Sequence, residues 1–179
     1  MVLDCRDAAG NHLSLKNLFD ASGSDKSLGA RDYSVIYAHI IDELGGRSSA
    51  LRTCEIGLGT NNTKVLSTTM GAKHTPGASQ RALRNYLPNG RIHAADIDPS
   101  ILFREERIET TLADQLSLQS LDALHTRWGP QPFDLVVDDG LHNVGANINT
   151  LLFGLRHVRR GEAGLSSKTS TATSAQCSR

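Results

Sequence analysis

The sequence predicts an α/β protein, a parallel sheet covered by helices on both faces, and three observations carry that prediction. Short β-branched runs alternate with stretches of helical periodicity along the chain, the pattern of repeated strand–helix units. The run Leu135-Val136-Val137 is continuously apolar, as suits a strand buried on both faces. Each strand then breaks into glycines or acids: Glu55-Ile56-Gly57-Leu58-Gly59, Asp96-Ile97-Asp98, Asp114-Gln115 and Asp138-Asp139-Gly140-Leu141-His142. Open α/β sheets bind ligands at the carboxyl ends of their strands, so polar groups recurring there mark a candidate site.

A length of 179 residues fits one domain with a proper core, and 39% hydrophobic and 21% charged residues are globular values. The 19 basic residues balance 19 acidic ones, so no net field draws the protein to nucleic acid or a membrane. Cys5, Cys54 and Cys177 lack metal-type spacing and are too few for a disulfide framework. Met1-Val2-Leu3-Asp4 opens no signal peptide, and no apolar run approaches the ~20 residues that cross a bilayer. The expectation is a soluble cytoplasmic protein without nucleic-acid or membrane partners. A homo-oligomer is compatible with the sequence, which does not read oligomeric state.

Three regions follow from the composition: an N-terminal helical segment (1–50), a core (51–161) and a tail (162–179). In the first, Leu13, Leu15, Leu18 and Phe19 give one helix an apolar face, and Gly23-Ser24-Asp25-Lys26 reads as a polar turn. Tyr33, Ile36, Tyr37, Ile40, Ile41 and Leu44 make a second helix, with Asp32 as its cap and Gly45-Gly46 as its end. Tyr33 and Tyr37 are expected in the core or on the helix surface.

In the core, strands are expected at 53–59, 91–99, 109–115 and 133–138. Helices are expected from Ala78 to Tyr86, from Ile101 to Glu106, around Leu118, Leu121 and Leu124, and from Ala146 to Val158. Gly57 and Gly59 let the backbone turn tightly and approach a ligand, with Glu55 beside that approach. Thr60-Asn61-Asn62 replaces the third glycine of the dinucleotide fingerprint, so this loop alone is weak evidence. Asp96 can accept from both hydroxyls of a ribose, although it follows Glu55 by well over the ~20 residues of the simplest fingerprint. The long polar loop 63–77 accounts for the spacing, and Asp98 reads as a cap for the next turn.

Taken together, these strand ends resemble the class I S-adenosylmethionine-dependent methyltransferases, whose Rossmann-like sheet fits the predicted fold. More narrowly, they resemble the metal-dependent sugar O-methyltransferases of macrolide biosynthesis. The similarity spans roughly residues 23–161, and its most specific piece is Phe133 to His142 followed by Ala146-Asn147-Ile148-Asn149. Glu55 to Asn62, Pro76-Gly77-Ala78-Ser79 and Asp96-Ile97-Asp98 are also characteristic.

The resemblance implies S-adenosyl-L-methionine and Mg²⁺ as cofactors and a small hydroxylated acceptor as partner. Glu55, Gly57 and Gly59 would line the methionine part, Asp96 would hold the ribose, and Asp114 with Gln115 would lie near the adenine. Asp139 would bind the metal, and His142 would be the general base for a sugar hydroxyl. Such a hydroxyl is a poor nucleophile until a base takes its proton and a cation steadies the alkoxide. Asp138 receives no role. Two alternatives remain open, an NAD-type oxidoreductase and a non-catalytic remnant or interaction protein.

The chain departs from the resemblance after Gly161. The family continues with an apolar strand ending in Glu-Asp, which supplies further metal ligands, whereas here a Ser/Thr/Ala tail is expected to be disordered. Leu165-Ser166-Ser167-Lys168-Thr169-Ser170 can be encoded TTG TCG TCG AAG ACA TCC, and those letters read from the third base give Val-Val-Glu-Asp-Ile. A frameshift would explain the sheet lacking its last strands and an impaired metal site. The gene's nucleotide sequence tests this, because codons without an acidic strand in the other frame exclude it.

Overall fold

The computed structural model describes residues 9–27, 32–62, 64–65, 70 and 74–160, so the tail, on which the expected disorder and the frameshift reading fall, lies outside the described residues. Strands β1 (Arg52–Ile56), β2 (Arg91–Asp96), β3 (Arg104–Glu105), β4 (Ile108–Leu112) and β5 (Leu135–Asp138) form one sheet in the order β3-β4-β2-β1-β5. All pairings are parallel except β3 on β4 at the edge. The chain builds outward from β1 through β2 to β4, then crosses back to lay β5 on the other side of β1. That reversal places a topological switch point at the exits of β1 and β5, the position at which such sheets bind ligands.

Among the described residues five α-helices accompany the sheet: α1 (Ala9–Ser22), α2 (Ser34–Glu43), α3 (Ala78–Tyr86), α4 (Leu118–Trp128) and α5 (Val144–His157). Because side chains alternate along a strand, the sheet feeds two cores. On one face Ile92, Ile108, Leu135 and Val137 share a core with residues of α1, α2 and α3, including Phe19, Tyr37, Ile41 and Leu83. On the other, Cys54, Ile56, Ala95 and Val136 share one with Leu121 and Leu124 of α4 and Phe153 of α5. The helices of the N-terminal segment therefore share a core with the sheet. Tyr37 is among these core residues, its ring edge-on to Phe19 at 5.8 Å. Asp32 acts at the start of α2, where Oδ1 accepts from the Ser34 amide at 3.1 Å.

One expected element differs. Ile101 to Glu106 is not a helix; Pro99–Ile101 makes a single 3-10 turn and the chain then enters β3. Asp98 caps that turn, accepting from Ser100 N at 2.9 Å. The Phe103 amide donates to Thr110 Oγ1 at 2.5 Å, and Thr110 N donates to Phe103 O at 3.2 Å. Pairing with β4 thus satisfies backbone groups that so short a helix would leave open. Arg107, at φ 61°, closes the hairpin.

At the amino ends of the strands, buried Arg52 pins the turn between α4 and β5. Its guanidinium donates to Trp128 O at 2.7 Å, to Gly129 O at 3.2 Å and to Gln131 O, and lies 4.4 Å over the Phe133 ring. Arg52 Nε also donates to His93 Nε2 at 3.3 Å. A cavity of about 430 Å³ borders this cluster, at the sheet end opposite the switch point.

Beyond β5 the sheet has a single further contact, a parallel bridge between Phe133 and Val158, with Arg159 N donating to Phe133 O at 2.7 Å. No other strand pairs with that edge among the described residues. Ile148, Leu151, Leu152 and Leu155 of α5 are 37–49% exposed, an apolar stripe beside it. No helix of the described residues is long and apolar enough to cross a membrane.

Burial, together with the positive charges of Arg52 and Arg91, pushes His93 down from 6.5 to about 4. The folded ring stays neutral where an unfolded one would take a proton. Its contribution is therefore complete above pH 6.5 and is lost as pH falls toward 4. Urea unfolding between those limits should show this group costing up to roughly 3 kcal/mol. The stability–pH curve of His93→Phe should be correspondingly flatter; an unchanged slope contradicts the assignment.

Candidate active site

Glu55 sits near the end of β1, paired through the backbone with Ala94 of β2 and Val137 of β5, and its side chain is only 3% exposed. A carboxylate there needs a counter-charge. It comes from Lys26, in the 3-10 turn Asp25–Ser27 after α1. Lys26 Nζ lies 3.2 Å from Glu55 Oε1 and also donates to Asp139 Oδ2. Ser79, on the first turn of α3, donates to Glu55 Oε1 at 3.0 Å. The second oxygen, Glu55 Oε2, is buried without a hydrogen-bond partner among the described residues.

Local bonds hold Lys26 in place. Ser24 Oγ accepts from its amide at 3.3 Å, its carbonyl accepts from Tyr33 N at 2.8 Å, and the adjacent Ser27 hydroxyl donates to Asp20 Oδ1 at 2.6 Å. Burial opposes the charge of Lys26, but Glu55, the Tyr37 phenol and Asp139 outweigh it and hold the ammonium well above the usual lysine range. Burial pushes Glu55 up, while Lys26 and the Ser79 hydrogen bond pull the other way. Burial also pushes the Tyr37 phenol well above its ordinary value. Sequence reasoning missed Lys26, since one partner lies 113 residues away and the turn around it carries no distinguishing pattern.

Gly57, at φ 106°, seats the exit of β1 against that of β5. A Cβ there would fall 2.2 Å from Asp139 O and 2.9 Å from Gly140 Cα. Its missing side chain thus makes room for the protein's own backbone. At Gly59 the close neighbour is the His74 ring, with Nε2 2.5 Å from where a Cβ would stand. Asp96 ties the first two strand exits together, accepting from Leu58 N at 2.8 Å and from Asp98 N at 2.9 Å. Each of its oxygens retains accepting capacity.

Asp114 lies at an exposed rim, accepting from Leu116 N at 2.9 Å. Gln115 is buried and engaged at both ends of its amide. It donates to Asp138 Oδ1 and Thr150 Oγ1, both at 2.8 Å, and accepts from Leu141 N at 2.6 Å. The chain thus gives Asp138 a role the sequence left open, anchoring the amide that shapes the 138–141 turn. Burial pushes the Asp138 carboxyl up, opposed by its hydrogen bonds with Gly140, Gln115 and Thr150. His142 itself is exposed, just before the α5 cap, where Asn143 Oδ1 accepts from Ala146 N at 2.9 Å.

Glu55 and Asp139 therefore share one ammonium at the switch point, with Asp96 at the neighbouring strand exit and Asp114 and His142 on exposed turns. Among the described residues, no cluster of three or more His, Cys, Asp or Glu is arranged to hold a metal ion.

This geometry can be set beside known proteins. No family model matches the chain. Over 118 residues it is 36% identical to mycinamicin VI 2''-O-methyltransferase of Micromonospora griseorubida, covering 64% of this chain and 26% of that protein. Over 147 residues it is 31% identical to 8-demethyl-8-alpha-L-rhamnosyl tetracenomycin-C 2'-O-methyltransferase of Streptomyces olivaceus, covering 82% of this chain and 34% of that protein. Both relatives are O-methyltransferases by name, the second acting on a rhamnosyl tetracenomycin. A solved structure, the MycE methyltransferase from the mycinamycin biosynthetic pathway in complex with Mg and SAH, superposes with a TM-score of 0.67 at 28% identity, covering 82% of this chain and 37% of that one. The predicted sheet with helices on both faces is thus the fold of a methyltransferase. The chain spans about a quarter to a third of the length of these O-methyltransferase relatives.

Two glycine substitutions separate a required glycine from a replaceable one. Gly57→Ala should cost about 3 kcal/mol or more in urea unfolding, through the clash and the positive φ. Gly154→Ala, inside α5 with Val136 no nearer than 3.9 Å, should stabilise by about 0.5–1 kcal/mol. The reverse order would contradict this packing.

Proposed function

We propose that this chain forms the S-adenosylmethionine-binding core of an O-methyltransferase whose acceptor is a hydroxyl of a sugar or related natural product. The convergence of Glu55 and Asp139 at the β1/β5 switch point, in a chain homologous to sugar O-methyltransferases, supports the reading most strongly. The residues suit the cofactor. The unpartnered Oε2 of Glu55 can accept from an ammonium, Asp96 keeps accepting capacity for a ribose diol, and the Gly57–Gly59 turn bends the backbone between them. Asp114 and Gln115 would border the adenine, Asp114 directly and Gln115 by shaping the turn after β5.

The cofactor, when bound, supplies a methyl group on a sulfonium. The chain's own contribution is to orient it in line with the acceptor. His142 would take the acceptor's proton, its exposure leaving the ring open to an incoming hydroxyl. Magnesium fits the described residues poorly. They offer one carboxylate of the expected set, Asp139, and that carboxylate is already paired with Lys26. Binding there would require the ammonium to give way, and Mg²⁺ surrenders its water reluctantly. The same observation supports a second reading, a chain that binds the cofactor with little turnover.

Calorimetric titration of S-adenosylhomocysteine, with and without magnesium, separates these readings. Binding that magnesium leaves unchanged is the expected result. Absence of binding under both conditions would remove the cofactor assignment, and robust magnesium-dependent methyl transfer by the 179-residue chain would refute the impairment.

A further inference from the structure

We infer that Lys26 is a positioning residue of the cofactor site, fixing Glu55 so that its second oxygen meets the amino group of the ligand's methionine end. The inference rests on the reading above that this site binds S-adenosylmethionine or its product. Lys26 acts through Glu55.

The carboxylate of Glu55 is used asymmetrically. Oε1 carries both Lys26, at 3.2 Å, and the Ser79 hydroxyl, at 3.0 Å. Oε2 carries nothing and is shielded from solvent. A buried acceptor without a donor is expensive and uncommon, so its natural completion is a donor that arrives with a ligand. The two bonds to Oε1 fix the plane of the carboxylate and therefore the direction in which Oε2 points.

Charge supports the same ligand group. One ammonium faces two carboxylates, Glu55 and Asp139, leaving a negative charge uncompensated. An incoming ammonium would cancel it. Asp139 is the solvent-facing member of the group, its side chain 44% exposed while those of Lys26 and Glu55 are 5% and 3%. Lys26 cannot follow the ligand outward without leaving both carboxylates, and its turn is held by Ser24, Tyr33 and Asp20 independently of Glu55.

The test compares two ligands by calorimetry on the full chain: S-adenosylhomocysteine, and 5′-methylthioadenosine, which keeps the adenosine and lacks the amino-acid end. Lys26→Met should weaken S-adenosylhomocysteine by about tenfold or more and Lys26→Gln by about threefold or more, each leaving 5′-methylthioadenosine within about twofold. Lys26→Arg, which keeps the charge, should recover part of the loss. If Lys26→Met does not fold by circular dichroism, Lys26→Gln decides, because its amide still bonds to a carboxylate. Equal losses for both ligands, or no loss for either, overturn the inference. Wild-type protein that binds neither ligand overturns the cofactor reading beneath it as well.

Discussion

A single ammonium placed between two carboxylates organises this protein's candidate site. Glu55 stands on β1, an interior strand with hydrogen-bonded neighbours on both sides, where an isolated charge would be costly. Lys26 reaches it from the link between α1 and α2, and the same ammonium holds Asp139 on the strand exit opposite. Removing that ammonium would strand two acids, one of them buried, so the N-terminal helices and the sheet are joined by charge as well as by the core around Phe19 and Tyr37. Gly57 adds the steric half of the constraint, because β1 and β5 approach closely only where no Cβ intervenes.

The two ends of the sheet have different duties. At the amino ends Arg52 spends its donors on the carbonyls of the α4–β5 turn, and burial, seconded by the Arg52 charge, keeps His93 neutral, which is scaffold. At the carboxyl ends the polar groups retain accepting capacity, with Glu55 Oε2 open and Asp96 partly so. Gln115 lies between these extremes, its amide fully committed to holding the turn after β5. The division follows the topology, since the carboxyl ends lie at the switch point made by the reversal in strand order.

Much of this architecture was legible in the amino-acid order. Helical periodicity located α2, α3 and α5 to within a few residues, and the apolar run ending in acids located β5 and its exit. The helix expected from Ile101 to Glu106 failed because hydrogen bonds to Thr110 draw Phe103 into a hairpin, a long-range pairing that local periodicity does not register. In the site, Glu55, Asp96 and Asp139 stand at strand exits, as a carboxylate ending a strand should. Lys26 was invisible because its meaning depends on partners remote in sequence, and Gln115 gave no sign that its side chain would be consumed within the protein.

The interaction between Lys26 and Glu55 is the centre of this account, and a double-mutant cycle measures it most directly. Urea unfolding at neutral pH of the wild type, Lys26→Met, Glu55→Gln and the double variant gives their coupling energy. A buried, charge-assisted pair predicts each single variant to be strongly destabilised and the double variant to recover about 2 kcal/mol or more relative to additivity. Additivity within about 0.5 kcal/mol would mean that the two charges do not depend on one another, and the account would fail.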